Sequence, residues 1–206
     1  MDAERMVFLA RDALGDVPRR GRERGYLFNH GLRVANLARR LAAEIDEDAG
    51  VRNDLLFVAG LFHDVAKGDE PHAENGADRA KDILAGDLDD AQRAAVAEMI
   101  RDHCRRREPR GVPVASRVLQ DADLLDHFGA QSVWLVLHDA CDNAPRQCLD
   151  IYARWRSDER IADWRSLLNF EASRQQFDCR IAFERDFFRR LAEEEGVRPQ
   201  SGQPDR

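Results

Sequence analysis

Leu55-Leu-Phe-Val-Ala-Gly-Leu-Phe-His-Asp-Val-Ala-Lys67 is the stretch on which the fold turns. Leu55, Ala59, Phe62 and Ala66 recur at i, i+4, i+7 and i+11, one face of a helix, and Val58, Leu61 and Val65 add a second apolar stripe. A helix that is apolar over most of its surface belongs inside a protein, so the spacing predicts a core helix over 55–67. His63 and Asp64 stand near its end. An imidazole and a carboxylate in such surroundings are costly unless something compensates them. A divalent cation is the strongest compensation, and it needs further ligands from elsewhere in the chain.

Outward from this segment, helix-period patterns dominate and none alternates as a strand. A first helix is expected over about residues 2–14, followed by a charged loop, Arg19 to Gly25. A second starts near Asn29 as N-cap and carries His30, Val34, Leu37, Leu41 and Ile45 on one face. His72 opens a helix that ends around residues 84–86, and Asp89 or Asp90 caps the next, which carries Val96, Met99, Ile100 and His103. A basic loop with Arg105, Arg106, Arg107 and Arg110 is broken by Pro109, Gly111 and Pro113. Helices are expected over 116–128 and 130–140, separated by Gly129, and one or two more over about 161–195. Phe183, Phe187, Phe188 and Leu191 form a stripe that reads as core rather than as a dimer face. The polar, turn-forming tail 196–206 reads as disordered. The expectation is an all-α fold, a single compact helical domain over 1–195.

The 206 residues are 43% hydrophobic, enough for a substantial core. With 32 basic and 39 acidic residues the net charge is −7, which argues against a protein that coats nucleic acid. A small phosphorylated ligand remains open, because one local Arg cluster supplies the needed field. Cys104, Cys141, Cys148 and Cys179 form no C-x-x-C and no Cys/His zinc pattern, and read as the reduced thiols of a cytosolic protein. No apolar run approaches membrane-spanning length and the start lacks the features of a signal peptide, so a cytoplasmic protein without a membrane partner is expected.

His30 shares its face with Val34, Leu37 and Leu41, so its imidazole points inward; Asp123 lies four residues after Leu119 and beside Ala122. His30, His63, Asp64 and Asp123 thus come from three helices, all near apolar faces. Asp121 and Asp126 compete with Asp123, but at helical spacing they are expected to point elsewhere. Two imidazoles with two carboxylates suit Mn²⁺, Fe²⁺, Ni²⁺, Mg²⁺ or Zn²⁺ and leave positions open for water and substrate.

This pattern, H…HD…D, resembles the HD superfamily of metal-dependent phosphohydrolases. HGLRVANLARRLA (30–42) resembles the family's first ligand helix, LFHDVAKG (61–68) its signature, and HAENGADRAKDIL (72–84) the H-x-x-x-G-A segment of many bacterial members. VLQDADLLDHFGA (118–130) is similar to the segment that carries the last ligand, and 167–194 to the C-terminal helix of small stand-alone bacterial HD hydrolases. The resemblance spans about 26–195. It implies metal ligation by His30, His63, Asp64 and Asp123. Two-metal relatives follow the order H…HD…H…H…D, which His30, His63-Asp64, His72, His103 and Asp123 reproduce, so His72 and His103 are candidates for a second metal or for substrate phosphate, with Asp64 bridging. His127 and His138 match no family ligand and read as structural.

Lys67 follows Asp64 by three residues and is placed to touch a substrate phosphate; Arg106, Arg107 and Arg110, downstream of His103, are candidates to grip it. The Glu-Asp pair of alarmone hydrolases and the Gly-Tyr-Pro motif of cyclic di-guanylate phosphodiesterases are both absent. The resemblance and the residues together imply a phosphohydrolase with one or two divalent ions per chain, acting as monomer or homodimer on a small phosphate ester or anhydride, foremost a nucleotide. Asp64 and Lys67 are the expected catalytic groups. A di-iron oxygenase and a non-catalytic nucleotide-binding module are the alternatives.

Overall fold

The computed structural model describes residues 1–17, 22–45, 52–107, 111–140 and 145–197, and every regular element among them is a helix. In chain order these are α1 (Ala3–Leu14), α2 (Tyr26–Ile45), α3 (Asn53–Phe62), α4 (His72–Ile83) and α5 (Asp90–Asp102), then α6 (Val114–Asp126), α7 (Ala130–Asp139), α8 (Pro145–Trp155), α9 (Asp158–Ser166) and α10 (Glu171–Glu194). No described helix is long and apolar enough to cross a membrane. The tail expected to be disordered lies, from residue 198 on, outside the described residues.

Local chemistry sets most boundaries. Asp2 accepts from the backbone of Glu4 and Arg5 at the start of α1, and Asp89 and Gln92 form a reciprocal capping box at the start of α5. Gly129, at φ 80°, makes the break between α6 and α7. Helix α2 starts at Tyr26, three residues before the expected Asn29 cap, because Gly25 at φ 76° turns the chain there and Tyr26, Leu27 and Phe28 are all buried. Packing outweighs the capping preference of Asn29. Helix α8 lies outside the helices expected from the sequence, although it is amphipathic: Cys148, Ile151, Tyr152 and Trp155 recur at i, i+3, i+4 and i+7 and face a second apolar cluster.

The core is laid around α3, in which every residue from Leu55 to Phe62 is buried. It packs against α2, α5, α6 and α1, and full burial of each of its Leu and Phe side chains is worth about 1.5–3 kcal/mol. The crossing of α2 over α3 is very close. A Cβ on Gly60 would stand 2.5 Å from Ala35 Cα, and one on Gly31 would stand 2.6 Å from the Leu61 carbonyl oxygen. Two missing side chains therefore fix how near the helices that carry His30 and His63 can come.

A second, smaller apolar cluster joins Val133, Val136, Ala140, Cys148 and Phe188 of the α7, α8 and α10 region, with Tyr152 stacked on Phe188 at 4.0 Å. Of the aromatic stripe on α10, Phe188 is core, Phe187 and Leu191 pack partly against this cluster, and Phe183 is exposed. Glu184, fully buried on the same helix, accepts from the Gly129 backbone at 2.6 Å and from Arg156 Nε at 2.9 Å. Asp121 faces away from the α2–α3 crossing and accepts from the backbone of Asn169 and Phe170 at the entry to α10.

Gly60→Ala is expected to lower the free energy of unfolding by about 1–3 kcal/mol in chemical denaturation, because backbone must shift to admit the methyl group. Gly86→Ala, whose Cβ meets nothing within 4 Å, serves as the control and should be near neutral. Glu184→Ala removes the carboxylate that neutralises the Arg156 guanidinium, 9% exposed, and should cost about 3 kcal/mol in the same measurement, although Arg156 keeps its bonds to the His127 carbonyl and Ser132.

Candidate metal centre

Helix α3 ends on His63, and the chain leaves it through tight i→i+3 turns, Val65 to Phe62 and Lys67 to Asp64, rather than continuing helically to Lys67. The cause is the ring itself. Its Nδ1–H donates to the Gly60 carbonyl at 2.9 Å and competes for the helix's own acceptor. A carbonyl only accepts, so the proton is on Nδ1 and the Nε2 lone pair faces the interior. His30 donates from Nδ1 to Asp126 Oδ2 at 2.8 Å and turns Nε2 to the same point. The two Nε2 atoms stand 3.2 Å apart. Asp123 Oδ1 lies 3.1 Å from Nε2 of His30 and 3.5 Å from Nε2 of His63, and Asp64 Oδ2 lies 3.8 Å from Nε2 of His63.

This donor set fits a metal ion. Two nitrogens bound at about 2.1 Å to one ion are about 3.0 Å apart in an octahedral shell and about 3.4 Å in a tetrahedral one, which brackets the 3.2 Å separation. The electrostatics agree. Burial works against a charged His30, yet hydrogen bonds to Asp123 and Asp126 outweigh it and push its pKa up to about 9. Burial likewise opposes ionisation of Asp64, but the neighbouring His63, Lys67 and His30 hold it down to about 2. Asp123 is held well below the usual carboxylate range against its burial, by His30, His63 and Arg106. The pocket favours positive charge between these groups, whether proton or metal.

A second pair of imidazoles repeats the device on the other side of Asp64. His103, at the end of α5, donates from Nδ1 to the Ile100 carbonyl at 2.6 Å and presents Nε2 3.7 Å from Asp64 Oδ1. Burial, with the nearby His63, lowers its pKa to about 4 and keeps it neutral. His72, the first residue of α4, donates from Nδ1 to Glu70 at 3.0 Å and presents Nε2 3.8 Å from the same Oδ1. Asp64 is 5% exposed and its Oδ1 makes no hydrogen bond. Lys67 Nζ stands 3.2 Å from that atom.

The centre opens on a cavity of about 580 Å³ whose wall includes Arg22, Tyr26, Lys67, Arg106, His127 and Trp164, a size suited to a small-molecule ligand. Of the arginines singled out in the sequence, Arg106 pairs with Asp123 and lines the cavity. Arg107 instead reaches Asp163 on α9 at 3.1 Å and is absent from the cavity wall. Arg110 lies outside the described residues.

Three residues join the site without having been singled out for it. Asp126 was expected to point away from Asp123, yet it orients His30 and is gripped in turn by Arg33 at 2.9 Å. The signal was available: residues three apart on a helix differ by only about 60° in direction. His127, four residues after Asp123, also faces the cavity, with its ring 5.3 Å from that of His30. Cys104 lies beside His72 and His103.

Residues 27–127 match the family model of the HD domain, and the chain is an HD-domain protein. The solved structures that share its fold include an HD-superfamily hydrolase from Bacillus thuringiensis, 19% identical, with a TM-score of 0.65 over 95% of this chain and 97% of that one. YpgQ from Bacillus subtilis, solved in complex with ADP, is 15% identical with a TM-score of 0.61 over 94% and 97%. A Lactobacillus plantarum protein is 20% identical with a TM-score of 0.59 over 95% and 98%. No curated protein matches the chain in sequence.

Asp126→Ala removes the acceptor that holds His30 in place, and such orienting groups are typically worth about 10–100-fold in metal affinity. Manganese binding measured by calorimetry on wild type and variant should show a loss of that order with the fold intact. An unchanged affinity would mean that His30 is not a ligand or does not need its orienter.

Proposed function

We propose that the chain is a metal-dependent phosphohydrolase acting on a small phosphate ester or anhydride, foremost a nucleotide. The observation that carries this reading is the position of Asp64. Its buried carboxylate sits between the His30–His63 and His72–His103 pairs, with one oxygen making no hydrogen bond, at the floor of a cavity edged by Lys67 and Arg106.

His30, His63, Asp64 and Asp123 would hold one divalent ion, and His72 and His103, with Asp64 shared, are placed to hold a second or to contact phosphate. A bound divalent ion supplies Lewis acidity and lowers the pKa of water, so that a nucleophile is available near neutral pH. Asp64, whose Oδ1 makes no hydrogen bond and faces the Lys67 ammonium, would accept one from the attacking water once Lys67 turns to the substrate, and so aim it. Lys67 and Arg106 offset the charge that builds on the phosphate oxygens; both now lie against carboxylates of the centre and need only turn outward. No side chain of this set has to form a covalent bond to the substrate.

A nucleotide is favoured over a bare phosphate ester by the rest of the cavity. Beyond the charged end it is walled by Tyr26, Phe128 and Trp164, with Arg156 next to them, which suits the planar, partly apolar part of a nucleoside. The ADP bound to the similarly folded YpgQ lends support to the same class.

Metal-loaded protein incubated with a nucleotide panel should release phosphate or pyrophosphate, and His63→Ala or Asp64→Ala should reduce turnover to background. Lys67→Ala should lower kcat/KM by about 10²-fold or more while leaving the bound metal in place. Undiminished turnover in Asp64→Ala contradicts the mechanism. Turnover that consumes O₂ and needs two irons per chain points to oxygenase chemistry instead.

A further inference from the structure

Cys104 follows His103 directly and closes the outer side of the second imidazole pair. Its Sγ lies 3.3 Å from Nε2 of His72 and 3.2 Å from Nε2 of His103. One donor atom from each of the three falls within 4.8 Å of the other two. Both imidazoles commit their Nδ1–H to fixed acceptors, Glu70 and the Ile100 carbonyl, so both offer Nε2 lone pairs toward the sulfur. Asp64 Oδ1, on a residue 5% exposed, makes no hydrogen bond and lies 3.8 Å and 3.7 Å from the same two nitrogens. The sulfur and the carboxylate oxygen thus each approach the same two nitrogens, which come from the start of α4 and the end of α5.

We propose that Cys104 supplies a thiolate to the second ion for which His72, His103 and Asp64 are already placed, and that it makes this position selective for a borderline ion such as Zn²⁺ or Fe²⁺ over Mg²⁺. Thiolate ligands favour those ions, whereas Mg²⁺ takes oxygen and water. The proposal rests on the reading of Asp64 as a metal-facing carboxylate and adds the ligand that decides which ion is taken. On binding, the S–H bond of Cys104 gives way to a metal–sulfur bond and the proton leaves to solvent. Lys67 Nζ now stands 3.3 Å from Nε2 of His72 and 3.2 Å from Asp64 Oδ1, in the place the cation would take. Its side chain is 30% exposed and borders the cavity, so the ion displaces it toward the substrate. The thiol is not a core-packing group: Cys104 is exposed, unlike the buried Cys148.

Cobalt(II), titrated into the metal-stripped full chain, reports directly on sulfur ligation. In wild type a near-ultraviolet sulfur-to-cobalt charge-transfer band should grow in with a second ion per chain. Cys104→Ser should lose the band and bind that ion about tenfold more weakly or worse, His72→Ala should lose the same ion, and Cys179→Ser should change neither. A band that persists in Cys104→Ser overturns the proposal. So does a single ion per chain without a band in wild type, an outcome that leaves the phosphohydrolase reading standing because the first centre still fills. Binding of no ion by wild type overturns both.

Discussion

Two imidazole nitrogens held 3.2 Å apart beneath a shell of helices are the constraint from which the rest of the molecule follows. They come that close because α2 crosses α3 on glycine, with Gly31 against the Leu61 carbonyl and Gly60 against Ala35. They stay there because each ring is fixed from behind, His63 by the Gly60 carbonyl and His30 by Asp126. Packing sets the distance and the hydrogen bonds set the tautomers. Neither alone would turn two Nε2 atoms to one point beside two carboxylates.

Such an arrangement is expensive for the fold. Asp64, Asp123 and Asp126 are all buried, and each buried carboxylate costs several kcal/mol unless a partner offsets it. Arg33 on Asp126, Arg106 on Asp123 and Lys67 on Asp64 provide part of the offset. Two of these cations also edge the cavity, so the groups that steady the carboxylates are within reach of an anionic ligand. Glu184 and Arg156 form a contrasting pair: the carboxylate is fully buried, both are satisfied, and they tie α10 to the turn at Gly129. The structural pair leaves no oxygen without a hydrogen bond, whereas Asp64 Oδ1 makes none and has only the Lys67 ammonium, 3.2 Å away, beside it.

The helical character of the chain is legible in its apolar spacing, and the residues of α3, α4, α5, α6 and α7 fall close to where that spacing puts them. His30, His63, Asp64 and Asp123 can be picked out because polar groups stand among apolar neighbours on otherwise greasy faces. What spacing does not carry is three-dimensional neighbourhood. Tertiary burial of Tyr26, Leu27 and Phe28 moves the start of α2 ahead of its best capping residue. The His63 ring ends α3 through a side-chain hydrogen bond that no periodicity encodes. Asp126 and His127 sit three and four residues beyond Asp123, near enough in direction to share its side. Cys104 lacks any spacing motif, because its partner His72 arrives from another helix.

The molecule is built, on this reading, to hold a divalent ion between the side chains of His30, His63, Asp64 and Asp123. An anomalous-difference map from crystals grown with manganese addresses it most directly. A peak is expected bonded to Nε2 of His30 and His63 and to carboxylate oxygens of Asp64 and Asp123, about 2.0–2.2 Å from each. A map with no peak between these four side chains, in crystals that hold manganese in the mother liquor, rules that ion out.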